Sequence, residues 1–261
     1  MRRMLIRLAI VATVLTLTGS ALAITFGQLD GNRHPNVGAL IYENEDGERG
    51  ILCSGTLIEP DVFMTASHCT AFLESIAVEP DDVWVTFDPT FDEASPLLPG
   101  TYHTHPEFGF SGPGGFSDPH DIAVVTLDAP AAGITPARLP TLNQLNGMAL
   151  KTQRFVAVGY GAVREDKRKG PASLFFDGQR RFAEQSFNAL GKTWLHLSMN
   201  PSTGSGGTCF GDSGGPHFIG TSDVVASITV TGDRFCRATD VTYRVDTASA
   251  RAFLDDFVDL P

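Results

Sequence analysis

Short apolar runs separated by turn residues fill most of the chain beyond residue 23. Nine of these runs are five to eight residues long and rich in valine, isoleucine, threonine or phenylalanine, the composition typical of β-strands. They span residues 37–42, 51–58, 62–66, 83–87, 122–127, 154–160, 193–198, 224–230 and 241–245. No long helical pattern separates them, which disfavours a doubly wound α/β sheet.

A single helical pattern follows the last of these runs. Its apolar face comprises Ala250, Phe253, Leu254, Phe257 and Val258. Asp246 and Thr247 precede this face and can cap the first turn of a helix. The Pro- and Ala-rich stretch 128–140 divides the strands into two groups. The pattern therefore predicts an all-β protein with barrel-like halves at 24–130 and 131–261 and a terminal helix packed on the second half.

The first 23 residues have the organisation of a secretory signal peptide. Arg2, Arg3 and Arg7 precede an apolar run over residues 8–17, and the small-residue sequence Ala-Leu-Ala ends at residue 23. The apolar run is shorter than the ~20 residues that a membrane-spanning helix needs. Cleavage after this segment leaves 16 basic and 30 acidic residues, a formal charge of −14. Because the chain is so acidic, we expect no nucleic-acid partner and no membrane anchor after signal cleavage.

In a secreted chain the cysteines are expected to form disulfides, because an oxidising compartment favours disulfides over free thiols. The four are Cys53, Cys69, Cys209 and Cys236. Of their three possible pairings, the local one that joins the first to the second and the third to the fourth is the simplest. No C-x-x-C pair is present, which disfavours a zinc site built on cysteine.

Two other polar groups could suggest a metal ion. His103, His105 and His120 form a loose histidine set, and Asp81 and Asp82 are adjacent carboxylates. No acidic ligand pattern accompanies the histidines, and a solvated pair is the simpler explanation of the aspartates. We therefore expect no metal and no other cofactor.

Residues 208–216 read TCFGDSGGP, a serine crowded by glycines. A serine hydroxyl is a poor nucleophile at neutral pH and needs a base within hydrogen-bond reach. The G-x-S-x-G pattern around Ser213 would suit the nucleophile elbow of a secreted esterase, in which the acid and the histidine follow the serine. The only later histidine is His217, four residues on, which is too close to fold back as the base. The residue order therefore disfavours an esterase.

A histidine and an aspartate precede the serine instead. His68 lies in TASHC, just after a predicted strand, and Asp121 begins DIAVVTL, at the start of another. TASHC, DIAVVTL and GDSGGP in this order resemble the trypsin-like, chymotrypsin-fold serine proteases, and the match spans nearly the whole chain after the signal. The resemblance implies two packed six-stranded antiparallel β-barrels with a C-terminal α-helix. His68 and Asp121 would lie in the first barrel and Ser213 in the second.

The resemblance also implies a role for each of these residues. Ser213 would attack the scissile carbonyl, His68 would accept and return the proton, and Asp121 would hold the imidazole. The N–H groups of Gly211 and Ser213 would form the oxyanion hole. The two local disulfides would brace the histidine loop and tie the serine loop to the wall of the substrate pocket.

In that family, a freshly cut amino terminus pairs with the aspartate that precedes the catalytic serine. Here this aspartate is Asp212, and cleavage of the signal would expose Ile24. Residues 24–27 read ITFG where the family usually has IVGG, so bulky Phe26 replaces a glycine. We expect export itself to create the active terminus without a separate propeptide. The alternative is that Asp212 finds another cationic or hydrogen-bonding partner.

The pocket for the residue before the cut is ambiguous. Six residues before the serine, Gly207 replaces the aspartate that gives the trypsin branch its preference for Arg or Lys. Asp240 falls at another pocket-lining position and could restore an acidic floor, whereas Thr229 falls at the pocket mouth and could narrow it. Ser227 matches a family serine that supports the buried aspartate. A basic residue and a small or apolar one stay equally open as the preferred residue.

The sequence therefore predicts a secreted, extracellular serine endopeptidase. It would hydrolyse protein or peptide substrates as a monomer, through a His-Asp-Ser triad and an acyl-enzyme intermediate. The alternative is a catalytically silent protease-fold binding protein, since Thr229 could block the pocket or the new terminus could fail to insert. No triad residue is missing, which favours the enzyme.

Overall fold

Two sets of antiparallel strands, one in each half of the chain, form the body of the molecule. The computed structural model describes residues 24, 26–110, 115–164 and 173–261, so the predicted signal segment lies outside the described residues. Within these ranges, the helices are α1 (Ser67–Ser75) and α2 (Ala248–Leu254). Strands β1 to β15 occupy, in chain order, Gln28–Leu29, Val37–Glu43, Arg49–Glu59, Val62–Thr65, Val83–Thr86, Leu98–Thr104, Ala123–Leu127, Arg154–Gly159, Val163–Arg164, Leu174–Phe175, Arg181–Leu190, Trp194–Ser198, Pro216–Ile219, Val225–Gly232 and Thr239–Arg244.

Six strands close a barrel in each half. In the first half β2, β3, β4, β7, β6 and β5 are neighbours in that order, and β5 pairs with β2. In the second half β8, β13, β14, β15, β12 and β11 follow one another, and β11 pairs back with β8. The short β1 pairs with β11 in addition. The predicted fold, two six-stranded antiparallel barrels with a C-terminal helix, is confirmed.

The hydrophobic pattern does not predict the barrel strands β6, β11 and β13 or the helix α1. Strand β6 contains Pro99 and Gly100, residues that are uncommon inside strands, and a Cβ on Gly100 would lie only 2.7 Å from the Thr126 carbonyl oxygen. Strand β11 carries many polar residues, and β13 is only four residues long. Helix α1 buries Ser67, Cys69, Thr70 and Leu73. A buried face this polar forms no apolar stripe, so the helix is not visible in the sequence.

The terminal helix α2 begins where the capping residue predicts. The Thr247 hydroxyl accepts a 3.2 Å hydrogen bond from the Ala250 N–H. The helix does not pack on the second barrel alone, because the Phe253 ring centroid lies 4.8 Å from that of His105 in the first half. Its role is therefore to bridge the two halves. No helix in the described ranges is long and apolar enough to span a membrane.

A buried arginine joins the segments between the barrels. The guanidinium of Arg180 is fully buried and donates to Asp30 Oδ2 at 3.0 Å. It also donates to the carbonyl oxygens of Val37 at 2.7 Å and Phe87 at 2.9 Å, both on the first-barrel side. The Tyr160 hydroxyl, just beyond β8, lies 3.3 Å away. These hydrogen bonds fix the position of one barrel relative to the other, with loops of the two barrels facing each other.

Candidate active site

The imidazole of His68 is held by a buried carboxylate. His68 is the second residue of α1, and Asp121 lies two residues before strand β7. Asp121 Oδ2 is 2.9 Å from His68 Nδ1, and Asp121 Oδ1 accepts a 2.9 Å hydrogen bond from the His68 backbone N–H. The Asp121 side chain is fully buried, whereas that of His68 is 30% exposed. The carboxylate therefore orients the ring, favours the proton on Nδ1 and leaves Nε2 as a free acceptor.

The segments that carry these two residues are tied together by one hydroxyl. Ser67, the residue before His68, donates to the Ile122 carbonyl oxygen at 2.6 Å. The same hydroxyl oxygen accepts a 3.0 Å hydrogen bond from the His105 N–H. Because Ile122 directly follows Asp121, this bond keeps the first turn of α1 at a fixed distance from the aspartate.

The loop that carries Ser213 rests on the first barrel. The Ser54 N–H, on β3, donates to the Ser213 carbonyl oxygen at 2.9 Å, and the Ser54 hydroxyl donates to the Gly211 carbonyl oxygen at 2.9 Å. Gly214, with φ +75°, packs against the start of α1. A Cβ on Gly214 would lie only 2.7 Å from the backbone nitrogen of Ala66, the N-cap of that helix. These contacts bring the serine loop beside the helix that carries the histidine.

Within the described ranges, the His68 ring bonds to Asp121, and no hydrogen bond joins it to Ser213. Hydrogen bonds between a nucleophile and its base are often long in a free enzyme and shorten when substrate binds. The arrangement therefore supplies an oriented acceptor next to the serine loop.

Two backbone N–H groups at the serine are left unused. Among the described residues, neither the Gly211 nor the Ser213 N–H donates a hydrogen bond. The N–H groups of Asp212, Gly214 and Gly215 around them donate at 3.0, 2.8 and 2.8 Å. Gly211 has φ +94°, a backbone conformation that glycine adopts at little cost. The unused pair is thus available to an oxygen atom placed over Ser213.

Both local disulfides are formed. Cys53–Cys69 joins β3 to α1, and Cys209–Cys236 joins the serine loop to the turn between β14 and β15. Each closes a short loop and is worth on the order of 3 kcal/mol through its restriction of the unfolded chain. In the described part of the chain, the one group of three candidate metal ligands is Cys53, Cys69 and His68. Its two sulfurs are bonded to each other and offer no thiolate, so this group is not a metal site.

The Asp212 carboxylate is fully buried, and no cation lies beside it in the described ranges. It accepts hydrogen bonds from the N–H groups of Gly161 and Cys209, both at 2.8 Å. Burial raises the pKa of Asp212 from 3.8 to about 7, against the lowering effect of those two bonds. Its expected partner, Ile24, is also buried, but its nitrogen belongs to a peptide bond in the uncleaved chain. The expected ion pair therefore does not exist in this form of the chain.

A buried polar cluster lies beneath the serine loop. Asp240 Oδ2 accepts hydrogen bonds from Gln185 Nε2 at 2.8 Å and from Thr208 Oγ1 at 2.7 Å. His217 Nε2 lies 3.6 Å from the same oxygen and 2.9 Å from Thr229 Oγ1. Burial lowers the pKa of His217 in spite of the neighbouring carboxylate, so the ring is neutral.

Three atoms of this cluster are buried without a hydrogen-bond partner: Asp240 Oδ1, Gln185 Oε1 and His217 Nδ1. With its Nε2 facing a hydroxyl and a carboxylate, the neutral imidazole carries its proton on Nε2, and Nδ1 is a bare acceptor. All three unpaired atoms are therefore acceptors. Buried acceptors without donors are unfavourable, so the cluster is suited to a group that donates several hydrogen bonds.

The other two residues expected to shape the pocket are placed differently from the expectation. A Cβ on Gly207 would overlap the Met199 side chain and lie 2.8 Å from Gln185 Nε2, so Met199 covers the position where a floor residue would stand. Thr229 does not stand at the mouth, because it is only 4% exposed and its hydroxyl contacts His217. The methionine, not the threonine, therefore restricts the space beneath the serine loop.

Ser227 does not support Asp121. Its hydroxyl oxygen accepts a 2.7 Å hydrogen bond from the Thr242 hydroxyl inside the second barrel. No hydrogen bond in the described ranges joins it to Asp121, whose carboxylate instead contacts His68. The sequence-based role of Ser227 is corrected by this pairing across β14 and β15.

A comparison with protein-family models matches the family described as Trypsin over residues 28–253. The chain belongs to the trypsin family. Among solved structures it is similar to HL collagenase (16% identity, 90% of this chain, 99% of that one, TM-score 0.65), to a mutant of human heparin binding protein, CAP37 (18%, 89%, 95%, 0.64), and to GrC (17%, 88%, 97%, 0.63). At these identities the likeness shows the fold alone. One of these names refers to binding and not to cleavage, so activity has to be argued from the site.

Several polar residues of this trypsin-family site were missed by sequence reasoning. They are Ser54, Gln185, Thr208 and His217. The sequence excludes His217 as the base for Ser213, but its position directly after the GDSGG loop indicates that it lies near the site. Gln185 carried no signal, since it lies on β11, a strand that the hydrophobic pattern did not predict.

Proposed function

We propose that the chain, once its signal segment is removed, is a secreted serine endopeptidase that uses Ser213, His68 and Asp121. The observation that carries the proposal is the 2.9 Å pairing of His68 Nδ1 with the buried Asp121 carboxylate, which leaves Nε2 free to act as a base. Membership of the trypsin family and the GDSGGP loop beside α1 support the same assignment. The two disulfides agree with an extracellular location.

In the proposed reaction, Ser213 Oγ attacks the scissile carbonyl carbon while His68 Nε2 takes the hydroxyl proton. The carbonyl oxygen becomes an oxyanion that accepts the unused N–H groups of Gly211 and Ser213, and each such donor typically contributes about 3 kcal/mol. Asp121 stabilises the imidazolium, which then gives its proton to the leaving amine. Water repeats the sequence on the acyl-enzyme, releasing the acid and restoring the serine.

Signal cleavage would turn the Ile24 nitrogen into an ammonium group that can pair with Asp212. The buried carboxylate, with its pKa raised to about 7, lacks a counter-charge in the described part of the uncleaved chain. A cation brought to it would lower that pKa and order the adjoining residues, which include both proposed oxyanion-hole donors. Sequencing of the active secreted form is expected to begin at Ile24. An active species that begins elsewhere overturns this part of the proposal.

For the residue before the cut, the buried cluster favours a basic side chain. An ammonium or guanidinium group supplies only donors, which matches the unpaired acceptors of Asp240, Gln185 and His217. Met199 would have to turn aside to admit such a side chain, and methionine is unbranched and adaptable enough to do so. A small or apolar preference is favoured if Met199 stays in place.

The test compares the secreted protein with Ser213→Ala on a peptide library varied at the residue before the cut. The expected result is cleavage by the first, at least about 10⁴-fold less by the second, and enrichment of Lys or Arg at the varied position. Equal absence of cleavage by two folded proteins that begin at Ile24 would overturn the enzyme. That outcome would favour the alternative, a catalytically silent protease-fold binding protein.

A further inference from the structure

Five of the ten exposed large apolar residues in the described part of the chain lie in the serine loop or in two segments, 174–176 and 233–237, that are joined to it by a side-chain contact or a disulfide. These five, which we call the apolar rim, are Leu174, Phe175, Phe176, Phe210 and Phe235, with exposures between 36% and 65%. At ~200 Å² for a phenylalanine, they present on the order of 500 Å² of apolar surface. Single exposed apolar residues need no explanation, but a concentration of exposed apolar surface beside a candidate active site often marks a binding site.

The apolar rim is continuous with the two unused N–H groups. Phe210 directly precedes Gly211, and a Cβ on Gly211 would lie 3.1 Å from Phe176 Cε1. A disulfide whose Cα atoms are 5.1 Å apart joins the chain neighbours of Phe210 and Phe235. The rim therefore borders the place where a carbonyl oxygen would sit over Ser213.

Backbone contacts hold the rim in position. The Asp233 carboxylate accepts the Phe235 N–H at 3.1 Å, and the Phe210 carbonyl oxygen accepts the Ala162 N–H at 2.7 Å. Further donors to the same carboxylate are the N–H groups of Arg237, Ala238 and Thr239, at 2.9, 2.6 and 3.1 Å. Phe175 pairs with Val163 in the β9–β10 hairpin. Because the backbone of these residues is already held, binding to them needs no loop to be ordered, and only the side chains lose freedom.

We propose that the apolar rim binds large apolar side chains that flank the scissile bond of a polypeptide substrate. The inference rests on the proposed endopeptidase activity and names the kind of chain segment that this site selects. The occupant is the substrate because its carbonyl oxygen must reach the Gly211 N–H while its carbonyl carbon reaches Ser213 Oγ. Phe176 and Phe210 adjoin Gly211, so apolar groups that flank this carbonyl can pack against them and leave water.

The experiment uses two fluorescein-labelled peptides with the same residue before the cut and the same net charge. One carries Leu and Phe at the flanking positions, and the other carries Ser. Fluorescence anisotropy with the Ser213→Ala protein is expected to show at least about tenfold tighter binding of the apolar peptide. Adding Phe210→Ser and Phe235→Ser should bring the two Kd values within about twofold of each other.

The matched control is Leu142→Ser in the same background, since Leu142 is 52% exposed and lies outside the rim. It should leave both Kd values unchanged. Thermal unfolding midpoints within about 2 °C of the parent protein verify that each variant is folded. In the catalytically intact protein, the rim variants should raise KM for the apolar peptide about tenfold relative to KM for the serine peptide, whereas kcat for the two peptides should change by the same factor.

Equal binding of the two peptides by the Ser213→Ala protein, or an equal loss for both in the rim variants, would overturn the proposal. Self-association that the rim substitutions abolish, without peptide selectivity, would overturn it too and assign the rim to a second copy of the chain. Failure of the endopeptidase itself looks different: no peptide is cleaved, whereas the apolar peptide still binds through the rim.

Discussion

The candidate site has a first-barrel wall, which carries His68 and Asp121, and a second-barrel wall, which carries Ser213. The two walls differ in how many of their polar groups are hydrogen-bonded. On the first-barrel wall, both oxygens of Asp121 contact His68, and the Ser67 hydroxyl is bonded as donor and as acceptor. On the second-barrel wall, within the described ranges, the N–H groups of Gly211 and Ser213 are unused and Asp212 has no cation. Paired groups set geometry before a ligand arrives, whereas unpaired groups mark where a ligand or a new terminus has to bind.

The backbone explains the contrast. His68 lies in the first turn of α1, where its N–H has no acceptor within the helix, and the carboxylate of Asp121, just before β7, accepts that N–H. Ser213 lies in a loop in which Gly211 and Gly214 have φ of +94° and +75°, and this irregular backbone directs N–H groups away from intrachain acceptors. Four predictions test the comparison, from the largest expected effect to the smallest.

Breaking the fully paired wall should have the largest effect. Asp121→Asn removes the anion that holds the His68 proton on Nδ1, and an amide N–H facing the ring favours the opposite tautomer. We expect kcat to fall about 10⁴-fold, the magnitude typical of this substitution in Ser-His-Asp triads. Steady-state kinetics on the best library peptide measures it, with exposed Asp128→Asn as the matched control. A loss smaller than tenfold would contradict the assigned role.

Asp212 tests the unpaired wall through the pH dependence of stability. Burial raises its pKa from 3.8 to about 7 when no terminus reaches it, so the folded chain binds a proton that the unfolded chain has released. The stabilisation is therefore fully present below about pH 4 and is lost as pH rises through about 7. The loss amounts to on the order of 4 kcal/mol.

Denaturant unfolding at pH 5 and pH 8 measures this effect in a form that keeps Ala23 before Ile24. That form should be less stable at pH 8, and Asp212→Asn should remove most of the difference. In the form that begins at Ile24, the same substitution should instead lower activity, because the terminal ammonium loses its partner. An identical pH profile for the aspartate and asparagine proteins would refute the prediction.

Asp240 tests whether the buried acceptors select a cation. Asp240→Asn removes the negative charge while keeping the shape of the side chain. We expect kcat/KM to fall about 100-fold for peptides with Lys or Arg before the cut and to change less than about threefold for Met. Parallel assays of the paired peptides decide it. Equal changes for both would show that the cluster is structural and leave the small or apolar preference.

Ser227 should have the smallest effect, because its partner lies inside the second barrel. Ser227→Ala removes the hydrogen bond between the Ser227 and Thr242 hydroxyls, at about 1 kcal/mol of unfolding free energy, and the Thr242 hydroxyl keeps the Leu195 carbonyl oxygen as its acceptor. We expect kcat to stay within about twofold of the parent value. Denaturant midpoints and steady-state kinetics measure the two quantities. A tenfold loss of kcat at unchanged stability would restore a role beside Asp121.

Most strands of the fold could be predicted from local sequence patterns. Nine of the twelve barrel strands coincide with apolar runs. Every second side chain of a strand faces the barrel interior, so a few consecutive residues are enough to show the pattern. The strands that were missed, β6, β11 and β13, contain proline, glycine or many polar residues, and neighbouring strands stabilise them instead. Helix α1 buries Ser67 and Thr70 beside Cys69 and Leu73, so it has no continuous apolar face and its pattern does not predict a helix.

The sequence by itself determined the residues of the proposed triad and the simplest cysteine pairing, since these depend on short motifs and on chain order. Only the tertiary structure decided which residues surround Asp240 and what Ser227 contacts. The pairing of β14 with β15 shifts register between Thr229 and Thr231. The β14 residue opposite Asp240 is therefore Gly232, which counting along the chain does not reveal. Gln185, 55 residues before Asp240, reaches it only because the second barrel closes.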